Sequence, residues 1–333
     1  AAAAAGKTAV LAARAQAEID KNQGDVVLFT FTRAAAEEMR QRTQIPLNRD
    51  VFIGTIHAYC LYLLLSKGIT QASQYCEEEC FDQLFALIQR HPECIRPVYC
   101  VLCDEAQDCN ADQFTFLFDM IHAQRYFIVY DKRQSIYRWR GSEPELLDEY
   151  AKKLDVSICY LNENYRNASE ILQYAQYIIR PLGREYEDHS VSMREGGQVI
   201  VVPYSAAAIA KTLAKRQNFK DWFILARTNQ QLDDFAETLL QFHVPYVSFK
   251  RADLNSDDLS KTMARDAVKL LTIHTSKGLE AKNVLVIGAR FGSVEEKCIS
   301  YVAATRARDL LVWTEFPRAS YRKARQQVEN WEL

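Results

Sequence analysis

The sequence predicts an α/β protein of two lobes, each a parallel sheet flanked by helices, with a short helical insertion in the first lobe. Strand-like apolar runs recur along the whole chain, and helical patterns lie between many of them. Buried strands alternating with helices are the signature of parallel sheets covered on both faces. The runs are too many for one small sheet, and 333 residues fit about two domains at ~100–200 residues each.

In the first lobe the runs are 26–32, 51–57, 98–104 and 126–131, with helical patterns over 33–42, 110–122 and 142–153. Residues 61–97 lack a strand pattern, and the amphipathic CEEECFDQLFALIQR makes them a helical insertion between two strands. The second lobe carries runs at 156–161, 198–204, 222–227, 268–274, 283–289 and 310–316, with helices over 168–179, 229–241 and 295–308. The join falls where one helix ends and a strand begins, giving lobes 1–154 and 155–333. Polar residues 251–265 read as a loop or a small second insertion.

Composition excludes several classes. Hydrophobic residues at 48% and charged residues at 25% are close to the globular average, so the chain is neither disordered, collagen-like nor a coiled coil. No apolar run approaches the ~20 residues that span a bilayer, which predicts no membrane partner. With 41 basic and 43 acidic residues, global charge points to no nucleic-acid partner. A local basic and aromatic groove stays open. Nine cysteines, an odd count, and an Ala1–Ala5 stretch without a charged lead predict a reducing, cytoplasmic location. Most of those cysteines read as small core residues; the rival reading is a metal site from Cys76, Cys80, Cys94 and Cys100.

The chemistry begins at Gly6-Lys7-Thr8, followed by a helical run. Such a turn offers backbone N–H groups and a helix N-terminus to phosphate oxygens. Lys7 would reach the β- and γ-phosphates, and Thr8 would ligate Mg²⁺. The glycines usual in such a loop are Ala2 and Ala4 here, which meet a steric cost wherever φ must be positive. A chance GKT at the head of an Ala-rich helix reads equally well until the second element is considered. VYCVLCDEAQD is an apolar strand ending in Asp104 and Glu105. A strand-end carboxylate opposite such a loop can hold Mg²⁺, and its neighbour can orient and deprotonate water. The structural alternative is an acidic cap for the next helix, which Asp108 or Asn110 could supply. In QSIYRWRG, Gln134 can address a γ-phosphate or the attacking water, and Tyr137 and Trp139 are faces for unpaired bases.

TFTRAAAEEM, GTIHAYC, DEAQD, QSIYRWRGS, LNENYRN, TIHTSKGLE and YVAATRARDLL occur in that order and cover almost the whole chain. This series resembles the motifs of superfamily 1 DNA helicases of the UvrD/Rep/PcrA type. The resemblance implies two RecA-like lobes, ATP hydrolysis at the cleft between them, and 3′→5′ movement on single-stranded DNA or a 3′-tailed duplex. It implies ATP and Mg²⁺ as cofactors, with Gly6, Lys7, Thr8, Asp104, Tyr165, Gly278 and Glu280 at the nucleotide and Thr8 and Asp104 on the metal. Glu105, Gln134, Arg166 and Arg306 would act on the reacting phosphate. Thr30, Phe31, Thr55, His57, Tyr137, Trp139, His274 and Ser276 would line the DNA path. By residue type alone Phe31 is more often a core side chain, and the alternative for Arg306 is a solvated helix residue. Against the family pattern both helical insertions are small and residues 1–5 hold no glutamine-bearing segment ahead of GKT, as expected of a minimal or incompletely represented motor. That reduction raises a second reading, a regulatory partner of a nuclease, as in Gabija-type antiviral defence helicases.

Overall fold

The computed structural model describes residues 6–45, 50–78, 80–216, 218–249, 259–288 and 292–315. Ala1–Ala5, with the two loop alanines, and most of the polar stretch 251–265 lie outside them. The chain divides into two compact units, Gly6–Leu161 and the part from Asn162 onward.

The first unit runs α1 (Lys7–Asp20), β1 (Val26–Phe29), α2 (Arg33–Arg42), β2 (Val51–Gly54), α3 (Ile56–Ser66), α4 (Gln71–Glu77), α5 (Phe81–Arg90), β3 (Val98–Cys103), α6 (Ala111–Phe114), β4 (Ala123–Ile128) and α7 (Leu146–Lys153). Its sheet has the order β2-β1-β3-β4, all parallel. Side chains alternate across a strand, and β1 uses both faces. Val26 and Leu28 join Leu11, Ala15 and Ile19 of α1 and Met39 of α2. Val27 and Phe29 join Tyr59, Leu63, Phe85 and Phe116 on the opposite side. The inserted helices α3 to α5 therefore supply much of one core face rather than an appendage.

The second unit runs β5 (Glu163–Asn164), α8 (Ser169–Ile179), β6 (Val191–Ser192), β7 (Gln198–Pro203), α9 (Ala206–Ala214), β8 (Trp222–Ala226), α10 (Asn229–Gln241), β9 (Tyr246–Ser248), α11 (Leu259–Ala264), β10 (Val268–Thr272), β11 (Ala281–Val286), α12 (Val294–Ala304) and β12 (Ala307–Glu315). Its six-stranded sheet has the order β7-β12-β11-β8-β10-β9 and is parallel throughout. Ile224, Leu270, Leu285 and Val312 face Ile209 and Leu213 of α9 and Leu232, Phe235 and Leu239 of α10.

Several element bounds shift, and two local expectations change outright. Residues 156–161 form no strand: Val156, Ile158 and Tyr160 alternate as in a strand but are 43%, 53% and 73% exposed, and no described strand pairs with them. The helix expected over 110–122 shortens to α6 and passes into a π-helical turn at Thr115–Met120. Asn110 caps α6 through a reciprocal box with Gln113, so that cap does not draw on Asp104 or Glu105.

Candidate functional site

In the first unit, chemistry gathers where α1 begins and β3 and β4 end. Gly6 enters α1 with φ 73° and no side-chain cap, a left-handed turn that suits glycine. Lys7 is buried, and its Nζ lies 3.6 Å from Glu105 Oε1. Asp104, 7% exposed, directly follows β3, and its Oδ1 accepts from the Glu105 N–H at 3.0 Å. Glu105 has φ 50° and ψ 39°. A non-glycine residue held there stores ~1–3 kcal/mol, and such strain clusters at functional sites. Gln107 donates to Glu105 Oε2 and fixes that carboxylate.

Gln107 is fully buried and also accepts from the Asp131 N–H at 2.9 Å, while its carbonyl accepts from Ser135 Oγ at 3.1 Å. It thus binds DEAQD to the segment that carries Gln134. Asp131, 3% exposed, accepts from Arg133 Nε at 2.7 Å and from Gln134 Nε2 at 2.7 Å. Burial opposes its ionisation, but the charges of Arg133 and Lys7 and both hydrogen bonds outweigh this and hold its pKa below the usual carboxylate value. Neither Gln107 nor Asp131 was expected from sequence. Asp131 ends the apolar run YFIVYD as Asp104 ends its own, and that parallel was the available signal.

The residues expected on DNA divide by exposure. Trp139 is 62% exposed, and the Arg140 guanidinium sits 5.1 Å from its ring centre. Tyr137 is instead buried and stacks on Phe31 at 5.1 Å. Thr30 Oγ1 donates to the Thr32 carbonyl, and Thr55 caps α3 by accepting from the Ala58 N–H. The His57 ring lies 4.2 Å from that of Phe81 and 5.2 Å from that of Phe85. Burial lowers its pKa from 6.5 to about 4, against a small opposing effect of Asp82. The unfolded chain therefore takes up this proton near pH 6.5 and the folded one only near 4. Stability is expected to hold above pH 6.5 and to fall between 6.5 and about 4 by up to about 1.4 kcal/mol per pH unit. NMR titration of the His57 ring checks this; a midpoint above 6 would mean an open ring.

Most cysteines pack as apolar residues. Burial pushes the Cys100 thiol up to about 11 and raises that of Cys76. Among the described residues no group of three or more His, Cys, Asp or Glu side chains is placed to hold a metal ion.

In the second unit, LNENYRN is stitched to TRAR. Asn164 Oδ1 accepts from the N–H groups of Arg166 and Asn167 at 3.1 and 2.9 Å. Buried Asn167 donates to the carbonyls of Thr305 and Ala307 at 3.1 and 2.5 Å. Tyr165 is 57% exposed, with its hydroxyl on Glu163. Arg166 Nε donates to Glu280 Oε2 at 2.5 Å. Gly278 has φ 90° and opens the turn before Glu280. Ser276 is fully buried, with its hydroxyl on the Ile273 carbonyl, and His274 lies 3.2 Å from Arg227. Arg306 differs most from expectation. It is 2% exposed and donates to the carbonyls of Val302 and Leu279 and to Thr305 Oγ1.

These elements define an α/β protein of two units, each with a parallel sheet flanked by helices. The profile of the UvrD/REP helicase N-terminal domain matches residues 1–91 and 82–155, and that of the UvrD-like helicase C-terminal domain matches 248–316. The chain is 27% identical over 240 residues to the ATP-dependent DNA helicase Rep of Escherichia coli, covering 66% of this chain and 33% of that one. It is 26% identical to a probable DNA helicase II homolog of Mycoplasma capricolum, covering 60% of this chain and 29% of the relative. A solved helicase structure from PRRSV aligns with TM-score 0.49 and 15% identity over 96% of this chain and 52% of that one. The chain belongs to the UvrD/Rep family of helicases. It spans about a third of the length of these two curated relatives. Among the described residues no helix is long and apolar enough to cross a membrane.

Proposed function

We propose that this chain is a cytoplasmic ATP-dependent motor that moves 3′→5′ on single-stranded DNA. The observation that carries the reading is the convergence of Lys7, Asp104, Glu105, Asp131 and Gln134 in the first unit, tied together through Gln107. Lys7 binds the β- and γ-phosphates, Glu105 takes the proton from the attacking water, and Gln134 orients that water. Asp104 and the Thr8 hydroxyl are hard oxygen donors that fit Mg²⁺, which when bound neutralises phosphate charge. Tyr165 stacks on the base, Gly278 and Glu280 face the nucleotide, and Arg166 and Arg306 bring positive charge to the γ-phosphate. The test is ATP hydrolysis with and without single-stranded DNA, together with unwinding of 3′-tailed and 5′-tailed duplexes. Hydrolysis indifferent to DNA would remove the motor reading. Preference for the 5′-tailed duplex would reverse the polarity.

Trp139 offers a stacking face in the first unit, because it is exposed and the Arg140 guanidinium lies beside its ring. A base stacked on an aromatic ring contributes ~1–3 kcal/mol, so Trp139→Ala is expected to weaken single-strand binding roughly ten- to a hundredfold. Fluorescence anisotropy with a labelled oligonucleotide measures it. Unchanged affinity with lowered thermal stability would make Trp139 a packing residue.

A further inference from the structure

Glu280 has two guanidinium partners. Its Oε2 accepts from Arg166 Nε at 2.5 Å, and its Oε1 lies 3.6 Å from Arg308. Arg308 is half exposed and has no role in the reading above. A third arginine closes the group. Arg194 pairs with Asp309 at 2.5 Å and donates to the carbonyls of Arg166 and Arg308. Three guanidinium groups thus face two carboxylates on one partly exposed surface, so Glu280 is shared and positive charge is left in excess. By contrast, Arg306 already has its donors on buried oxygens.

We infer that Glu280 is a latch that holds Arg166 and Arg308 until the terminal phosphate of a nucleoside triphosphate replaces its carboxylate, and that Arg308 is a further phosphate-binding arginine. This rests on the reading of Arg166 as phosphate-facing. Carboxylate and phosphate compete for the same planar, bidentate donors, and a phosphate with more charge and oxygens wins when it arrives. A partly exposed pair such as Arg166–Glu280 is weak enough to open. The latch keeps the arginine extended and preorganised while the site waits.

The latch separates from a simple ribose contact by which nucleotide it affects. Glu280→Gln keeps size but removes the charge that strengthens the Arg166 hydrogen bond and competes with phosphate. Binding of a non-hydrolysable ATP analogue is expected to tighten about three- to tenfold relative to binding of ADP. Equal weakening of both nucleotides would overturn the latch and leave Glu280 a ribose ligand. Arg308→Ala is expected to weaken the ATP analogue severalfold more than ADP; equal effects would remove Arg308 from the phosphate. A readout without nucleotide keeps the inference separate from the motor reading. In the unliganded full chain, the Arg166 Nε–H signal should exchange slowly with solvent and speed up severalfold in Glu280→Gln. Tripolyphosphate should speed it up in the parent protein as well. If the Nε–H is unaffected by Glu280→Gln, the pair does not exist in solution and the latch fails whatever the chain does with ATP. If the latch opens with tripolyphosphate but ATP is never hydrolysed, the motor reading fails and the latch stands.

Discussion

Glu105→Gln is expected to lower DNA-stimulated ATP turnover by ~10²–10⁴-fold, the usual contribution of a general base. Nucleotide affinity should stay within about twofold, because the substitution removes one basic oxygen and leaves the phosphate-binding groups in place. The local geometry makes this a clean experiment. Glutamine has the same length, and its side-chain carbonyl can still accept the Gln107 donor that pins Glu105. Lys7 loses a charged neighbour at 3.6 Å, which leaves its own charge more available to phosphate. Single-turnover hydrolysis and binding of a fluorescent ATP analogue measure the two halves separately. Turnover equal to that of the parent would remove Glu105 as the base. Loss of binding together with turnover would make it a structural partner of Lys7.

Much of this site was legible because its residues stand at the ends of apolar runs. Asp104 and Glu105 follow VYCVLC, and a carboxylate pair directly after a fully buried strand has few structural duties. Gln134 was legible through the unusual density of long polar and aromatic side chains in QSIYRWRG. Gln107 and Asp131 were not, because what makes them matter is a hydrogen bond across 24 residues of sequence. Periodicity read most strands but overcounted one. Val156, Ile158 and Tyr160 carry the period-2 signature, yet that signature requires a neighbouring strand to supply hydrogen bonds. In the other direction, β9 has only three residues and too short a pattern to stand out. The residues expected on DNA divided for a related reason. An aromatic in a motif can serve by stacking outward, as Trp139 is placed to do, or by packing under its neighbours, as Tyr137 does against Phe31.

Arg306→Ala is expected to destabilise the second unit by about 2–4 kcal/mol, from lost charge-assisted hydrogen bonds and the cavity left by a large buried side chain. The resemblance implies a side chain that acts on phosphate, and residue type alone allows a solvated one; in the structure it is 2% exposed with its donors on protein oxygens. Arg306 lies in the short turn between α12 and β12. Its Nε bonds the Val302 carbonyl at 2.9 Å, in the last turn of α12, where a cation also suits the helix dipole. Its Nη1 reaches the Leu279 carbonyl at 3.1 Å and so ties TRAR to TSKGLE. Thr305 Oγ1 also donates to the Val302 carbonyl, so that oxygen keeps a partner in the alanine variant. The Leu279 carbonyl loses its guanidinium donor, and the turn before Glu280 loosens with it. For a unit of this size the shift in melting temperature should be roughly 5–15 °C. Lysine should recover little, since one ammonium cannot span the Val302 and Leu279 carbonyls as a planar fork does. Arg166→Ala is the comparison. Its guanidinium sits on a partly exposed carboxylate, so its loss should cost less than about 1 kcal/mol. Calorimetry on both variants separates the arginines. If Arg306→Ala melts with the parent while hydrolysis collapses, Arg306 leaves its carbonyls readily and acts on phosphate directly. If it melts early, part of any activity loss belongs to the Leu279–Glu280 turn, and through Glu280 to the placement of Arg166.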